Sequence, residues 1–327
     1  MSRVLLAAAL LAAAPTLAPG LAAAETLTLY TSQPNEDAQK TVDAFMAAHP
    51  GIEVDWVRDG TTKLMARLEA EIAAGAAAPD LLLISDTVTM EGLVQQGRLA
   101  AYVSPEDAAY DAALYSPEGY YHSTKLITTG IAYNTGAAEV PTSWADLAKP
   151  AMKGLVAMPS PLYSGAALIH LATLTGTPAL GWDYYAALAG NDTLADGGNG
   201  GVFKAVASGE KPYGVLVDYM ALRAKAEGSP IDFVFPDEGV SYVTEPVAIV
   251  AGTRHMDAAK SFVDFVLSQP GQELVADMGY IPARDGVASP EGFPARDAVK
   301  LMPFDAAKAL ADSEANKAEF AKVFKVQ

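Results

Sequence analysis

Apolar and polar positions alternate between two periods along most of this chain. Leu27-Thr28-Leu29-Tyr30-Thr31 reads as a strand. Ala38, Val42, Phe45, Met46 and His49 share one helical face, so residues 35–49 read as an amphipathic helix, stopped by Pro50-Gly51. Ile52 to Val57 alternates as a strand. Leu64, Leu68 and Ile72 mark a second helix, ending near Gly75 and Pro79. Leu81-Leu82-Leu83-Ile84 is apolar throughout, as expected of a strand covered on both faces. This β-α-β-α-β order predicts a parallel sheet with helices on both sides.

Residues 100–127 are irregular and polar, and Thr129 to Asn134 forms another strand. A second α/β run follows. It comprises a strand at 155–158, helices at 164–175 and 178–189, a glycine-rich loop at 197–201 and a helix at 201–208. A strand at 213–217, a helix at 219–226 and a strand at 231–235 complete it. Val243 to Val250 reads as one long strand. Phe262, Phe265 and Val266 mark one later helix, Leu274 another, and a last helix covers about 305–325. With no flexible linker, two such units predict lobes joined by strands, with a cleft at the strand ends.

One stretch carries chemistry. The apolar strand Leu155 to Met158 breaks at Pro159 and Pro161, and Ser164-Gly165-Ala166 opens a helix. Three small residues there leave the first backbone N–H groups exposed at the positive end of the helix dipole, which predicts an anion site.

The start of the chain reads as an export signal. Met1-Ser2-Arg3 precedes an apolar run from Val4 to Ala14, and Ala22-Ala23-Ala24 supplies a cleavage site. Pro15 and Pro19 argue against a membrane anchor, and no later segment is long and apolar enough to cross a bilayer. Of 327 residues, removal of 24 leaves 303, a length typical of two domains. Arg3 is the only charge in the removed part, so the net charge moves from −17 to −18. A chain this acidic is a poor ligand for nucleic acid or anionic lipid. Zero cysteines exclude disulfides, thiolate metal sites and cysteine nucleophiles.

Several segments together resemble the periplasmic solute-binding proteins of ABC importers. They are Leu29-Tyr30-Thr31-Ser32-Gln33; Ser143-Trp144-Ala145-Asp146-Leu147 with Pro150 and Lys153-Gly154; and Ala259 to Phe265 with Ser268, Gly271-Gln272 and Gly279-Tyr280-Ile281-Pro282. The resemblance is to the group of ferric-iron-, hexose-phosphate- and 2-aminoethylphosphonate-binding members, and most to the last. It implies a type 2 periplasmic-binding-protein fold, with two α/β lobes, two crossover strands near 126–134 and 243–250, and the ligand closed between the lobes. Residues 25–126 and 250–300 would form lobe 1, residues 127–249 lobe 2, and 301–327 a C-terminal helix packed on the lobes. It further implies a monomer with no catalytic role, in the periplasm, delivering a small anionic or zwitterionic ligand to an inner-membrane permease.

Where the iron branch carries adjacent tyrosines, this chain has Asp218-Tyr219-Met220, and a thioether is a poor ligand for a hard cation. No metal or other cofactor is therefore expected. The resemblance places a phosphoryl group at Ser164, Gly165 and Ala166 with Asn199 beside it. Without it, Ser164 reads equally as an N-cap and Asn199 as part of a turn. Asp218, Tyr219 and Glu245 are candidates for the other end of the ligand, joined by Ser32, Gln33 and Asp86 after two first-lobe strands. The alternatives are helix caps, lobe packing and a salt bridge within the hinge. Carboxylates at that end would favour an ammonium, hence 2-aminoethylphosphonate, over a hexose phosphate. An exported phosphate-ester hydrolase is the competing class, and against it stands the lack of a Gly-x-Ser-x-Gly elbow or a His-Glu-x-x-His pair.

Overall fold

Helices and strands alternate from the first described residue of this computed structural model, which describes residues 25–76 and 79–326. The expected export segment, 1–24, lies outside the described residues. In chain order the first half comprises β1 (Glu25–Thr31), α1 (Asn35–Ala48), β2 (Ile52–Arg58), α2 (Thr61–Ala73), β3 (Leu81–Leu83), α3 (Thr87–Gln95), β4 (Leu99–Ala100), β5 (His122–Ser123) and β6 (Lys125–Asn134). Then come α4 (Trp144–Leu147), β7 (Val156–Met158), α5 (Gly165–Thr175), α6 (Gly181–Gly190), β8 (Leu194–Ala195), α7 (Asn199–Ala207), β9 (Tyr213–Val217), α8 (Asp218–Ala226) and β10 (Ile231–Val234). The chain closes with β11 (Ser241–Val243), β12 (Pro246–Val250), α9 (Met256–Leu267), α10 (Gln269–Asp277), β13 (Ile281–Pro282) and α11 (Ala306–Phe324).

The strands form two sheets, each the centre of one lobe. The first runs β2-β1-β3-β12-β4, with β1 parallel to β2 and β3. The second runs β10-β6-β9-β7-β8, with β7 parallel to both β8 and β9. Leu81, Leu82 and Leu83 are buried because β3 lies inside its sheet. Leu27, Val42, Phe45 and Phe262 fill one side of that sheet, and Tyr30, Leu64, Leu82 and Met90 fill the other. Burying each such side chain contributes about 1.5–3 kcal/mol. A further cluster joins the lobes, with Val88 of α3, Ile169 of α5, Val275 of α10 and Ala309 of α11. Helix α11 packs on α3 of the first lobe and on α5 and α6 of the second.

The crossovers differ from the sequence reading. Residues 243–250 are not one strand. β11 pairs with β6 in the second sheet, β12 pairs with β3 in the first, and Glu245 between them takes a left-handed φ of 41°. The other crossing falls at Thr124, between β5, which pairs with β12, and β6. The two crossings touch. Thr124 N donates to Thr244 O at 3.1 Å, and Thr124 Oγ1 donates to Glu245 O at 2.8 Å. Two helix starts also move. The helix expected at 178 begins at Gly181, because residues 177–180 form a turn closed by Leu180 N donating to Thr177 O. The helix expected at 201 begins at Asn199, capped by extended Gly198.

Candidate functional site

In open α/β sheets, ligands bind beyond the carboxyl ends of parallel strands. Here six such ends meet in one cavity of about 610 Å³ between the lobes. From the first lobe come Ser32 after β1, Arg58 at the end of β2, and Ser85 after β3. From the second come the run Tyr163 to Ala166 after β7, and Val217 and Tyr219 around the end of β9. The glycine-rich run Gly197 to Gly201, beyond the short β8, completes that wall.

Ser164, Gly165, Ala166 and Asn199, expected at the anion end of the ligand, lie together in this cavity. Ser164 is the N-cap of α5, its Oγ accepting from Ala167 N at 3.3 Å, and Gly165 and Ala166 form the first turn. Helix α7 starts at the cavity with no side-chain cap, leaving its first N–H groups unclaimed by a side chain. Asn199 ties the two helices. Its Nδ2 donates to Ser164 Oγ at 3.4 Å, and its Oδ1 accepts from Val217 N at 3.3 Å. Close approach explains Gly165. A Cβ there would lie 3.0 Å from Ser85 O and 3.1 Å from Asp86 Cβ, both in the first lobe.

The carboxylates expected at the far end are committed elsewhere. Asp218 is not in the cavity wall. Its carboxylate, 1% exposed, accepts from Thr128 N at 3.1 Å, Thr128 Oγ1 at 2.7 Å and Tyr219 N at 2.7 Å. Burial pushes its pKa up to about 6, against those hydrogen bonds. Asp86 caps α3, accepting from Thr89 N at 3.1 Å, and burial raises its pKa too. Glu245 does line the cavity, but it is paired. Lys125 Nζ lies 2.5 Å from its Oε2, Ser85 Oγ donates to it at 2.8 Å and Gln33 Nε2 at 3.2 Å. Gln33 is thus a buried supporter of Glu245 and no part of the wall.

Tyr219 lines the cavity and packs on Tyr280, ring centroids 4.6 Å apart, with the Arg223 guanidinium over both rings. Burial raises both phenol pKa values. Lys125 sits over the Tyr280 ring, 4.2 Å from its centroid. Among the described residues no group of three or more His, Asp or Glu could hold a metal ion.

Sequence reasoning missed Arg58, Ser85, Tyr163 and Tyr280, which also line the cavity. The strand-end rule identifies the first two, since β2 and β3 are parallel strands whose ends had already been placed. Tyr163 stands 45% exposed at the cleft. A Cβ on Gly198 would lie 2.9 Å from its Cε1, and one on Gly60 would lie 3.8 Å from its Cζ. Its ring therefore spans the two lobes.

Two α/β lobes closing a polar cavity at their strand ends define a binding protein. The chain belongs to the family of bacterial extracellular solute-binding proteins, whose profile matches residues 76–310. It is 31% identical over 286 residues to an uncharacterised protein of Haemophilus influenzae, covering 83% of this chain and 81% of that one. It is 28% identical over 283 residues to the Fe(3+)-binding periplasmic protein of Serratia marcescens, covering 82% of each. The fold matches that of the periplasmic binding protein AfuA from Actinobacillus pleuropneumoniae, solved with exogenous fructose-6-phosphate bound. The TM-score there is 0.83 at 23% identity, over 93% of this chain and 99% of that one. The protein is thus a periplasmic solute-binding component of an ABC importer, serving a membrane permease, and it is not an enzyme.

Proposed function

We propose that the protein captures a small organophosphate, with the phosphoryl group seated on the N-termini of α5 and α7. The observation that carries this is the convergence of Ser164-Gly165-Ala166 and Gly197 to Gly201 on one cavity, with Asn199 joining them. Backbone N–H groups at a helix start favour an anion by on the order of 0.3–2 kcal/mol, and each charge-assisted hydrogen bond adds roughly 1.5–3 kcal/mol. Ser32, Ser85 and Tyr219 supply hydroxyls for the rest of the solute, while Tyr280 presents its ring and donates its own hydroxyl to Asp37. The fold relative AfuA, solved with a sugar phosphate, supports this reading.

The finer expectation of 2-aminoethylphosphonate loses its support. An ammonium tail needs a free carboxylate, and Glu245, the one carboxylate in the wall, is already neutralised by Lys125. Ferric iron, named for the Serratia relative, is disfavoured as well. Where the iron branch carries adjacent tyrosines this chain has Tyr219-Met220, and a thioether in the wall is a poor ligand for a hard cation.

A thermal-shift and calorimetry panel tests the assignment. Fructose 6-phosphate and glycerol 3-phosphate should each raise the melting temperature, since a ligand at a hundred times its Kd adds about 2.7 kcal/mol of stability. 2-Aminoethylphosphonate should bind no more tightly than ethylphosphonate. An aminated phosphonate bound more than about a hundredfold tighter than its neutral-tailed analogue would restore the phosphonate reading. Stoichiometric ferric binding with a visible charge-transfer band would establish iron.

A further inference from the structure

The charges of the cavity wall point to what lies at the other end of the ligand. Among the described residues only two that line the cavity carry formal charge, Arg58 and Glu245. Glu245 is buried and cancelled by Lys125, its ion partner at 2.5 Å. Arg58 has no carboxylate within ion-pair distance among the described residues. Its Nε donates to Gln33 O at 2.9 Å, which fixes the guanidinium and leaves Nη1 and Nη2 free. The chain carries a net charge of −17, so a free cation in its binding cavity runs against the overall balance. Beside Arg58 on the first-lobe wall is the start of α2, a helix of 13 residues from Thr61, whose N-cap Gly60 gives no side-chain cap and donates its own N–H to Asp59 Oδ1 at 2.7 Å. The cavity thus holds two uncapped, glycine-led helix starts on facing walls, α2 and α7, and a guanidinium on the α2 side.

We infer that the solute bears a second anionic group, a carboxylate received by Arg58 and the start of α2, so that the ligand class is a small phosphorylated carboxylic acid. This rests on the phosphoryl reading given above and extends it. A planar guanidinium with one edge tethered presents its remaining N–H groups to a carboxylate in a fixed geometry, with two hydrogen bonds available. A cationic tail would instead meet Arg58 head-on. A neutral sugar would supply no anion to the guanidinium.

The pair 3-phosphoglycerate and glycerol 3-phosphate tests this, because the two differ by a carboxylate against a hydroxymethyl group. Calorimetry on the intact protein should give at least about tenfold tighter binding of 3-phosphoglycerate. Arg58→Gln should lower that affinity by at least about tenfold and change glycerol 3-phosphate binding by less than about threefold, so that the preference collapses. Arg58→Lys, which keeps the charge but not the fork, should restore part of it. Circular dichroism and an unchanged melting temperature without ligand confirm that the variants are folded. Equal wild-type affinities for the two ligands overturn the inference. So does an equal loss for both in Arg58→Gln, which would place Arg58 on the phosphoryl group. If fructose 6-phosphate binds and 3-phosphoglycerate does not, the inference fails while the phosphoryl reading survives. If no phosphorylated compound binds, both fail.

Discussion

Lys125 and Glu245 form an ion pair, Nζ to Oε2 at 2.5 Å, beside the point where both crossover segments leave one sheet for the other. Each is 1% exposed. Lys125 opens β6, and Glu245 holds a left-handed backbone between β11 and β12. A buried pair of this kind is weak evidence of net stabilisation, but breaking it is costly because one charge is left uncompensated. Its placement makes it a joint that fixes the relation of the two crossings.

Lys125→Met should therefore destabilise the protein by about 3–5 kcal/mol, measured by urea denaturation at neutral pH. Adding Glu245→Gln to that variant should recover much of the loss, since Gln keeps the shape and removes the orphaned charge. A single variant within about 1 kcal/mol of wild type would mean that the pair is solvated and not a joint.

Gly165→Val should abolish solute binding while sparing the lobes. The new Cβ would meet Ser85 O at 3.0 Å and Asp86 Cβ at 3.1 Å, so the obstruction falls between the lobes and not within one. The expected cost in stability is about 1–3 kcal/mol, and the expected loss of affinity is more than about a hundredfold. Small-angle scattering should give a larger radius of gyration than wild type under saturating fructose 6-phosphate. A variant that compacts and binds normally would remove Gly165 from the site.

Much of this molecule was legible from periodicity alone. β1, α1, β2 and β9 fall within a residue or two of where their apolar pattern put them, because β1, α1 and β2 bury one face or stripe against a core nearby in space and β9, inside its sheet, is buried throughout. The helix start proposed for the phosphoryl group was legible for a local reason too: the break after β7, the cap at Ser164 and the small residues after it are contiguous. What could not be read is long-range partnership. Asp218 looks like a ligand group at a strand end until Thr128, on another strand, claims its carboxylate. Glu245 finds Lys125 across 120 positions of chain, and its left-handed backbone hides in an apolar run that reads as one strand. α3 escaped notice because Thr87-Val88-Thr89-Met90 alternates as a strand would, although Asp86 caps it as a helix.

Two buried groups give opposing pH dependences. Burial lowers the His170 pKa to about 3, with Ser241 Oγ as a hydrogen-bond partner at 2.8 Å. An unfolded histidine protonates near 6.5, so His170 costs stability as pH falls from about 6.5 toward 3. Asp218 is held near 6 against an unfolded value of about 3.9, so its ionisation penalty is fully present above pH 6 and fades as pH falls toward 4. Between pH 7 and pH 4.5 the first loses about 2–3 kcal/mol and the second regains about 2 kcal/mol. Urea unfolding at those two pH values should reveal each term alone. On acidification, His170→Gln should fare about 2 kcal/mol better than wild type, and Asp218→Asn about 2 kcal/mol worse. Parallel shifts in all three proteins would mean that neither group titrates in this window.

Tyr163 should set how long the solute stays. Its ring leaves lobe 2 just before Ser164, packs over Gly198 and reaches Gly60 in lobe 1, while remaining 45% exposed. Such a side chain can close the opening without being part of either core. Its contact with Gly60 exists only while the lobes are together, so its loss should act on dissociation and leave encounter unchanged. Tyr163→Ala should raise the off-rate by about tenfold, with an on-rate within about twofold of wild type. Stopped-flow displacement of a bound organophosphate measures both rates. An unchanged off-rate in this variant would mean that the ring covers the opening without holding the solute.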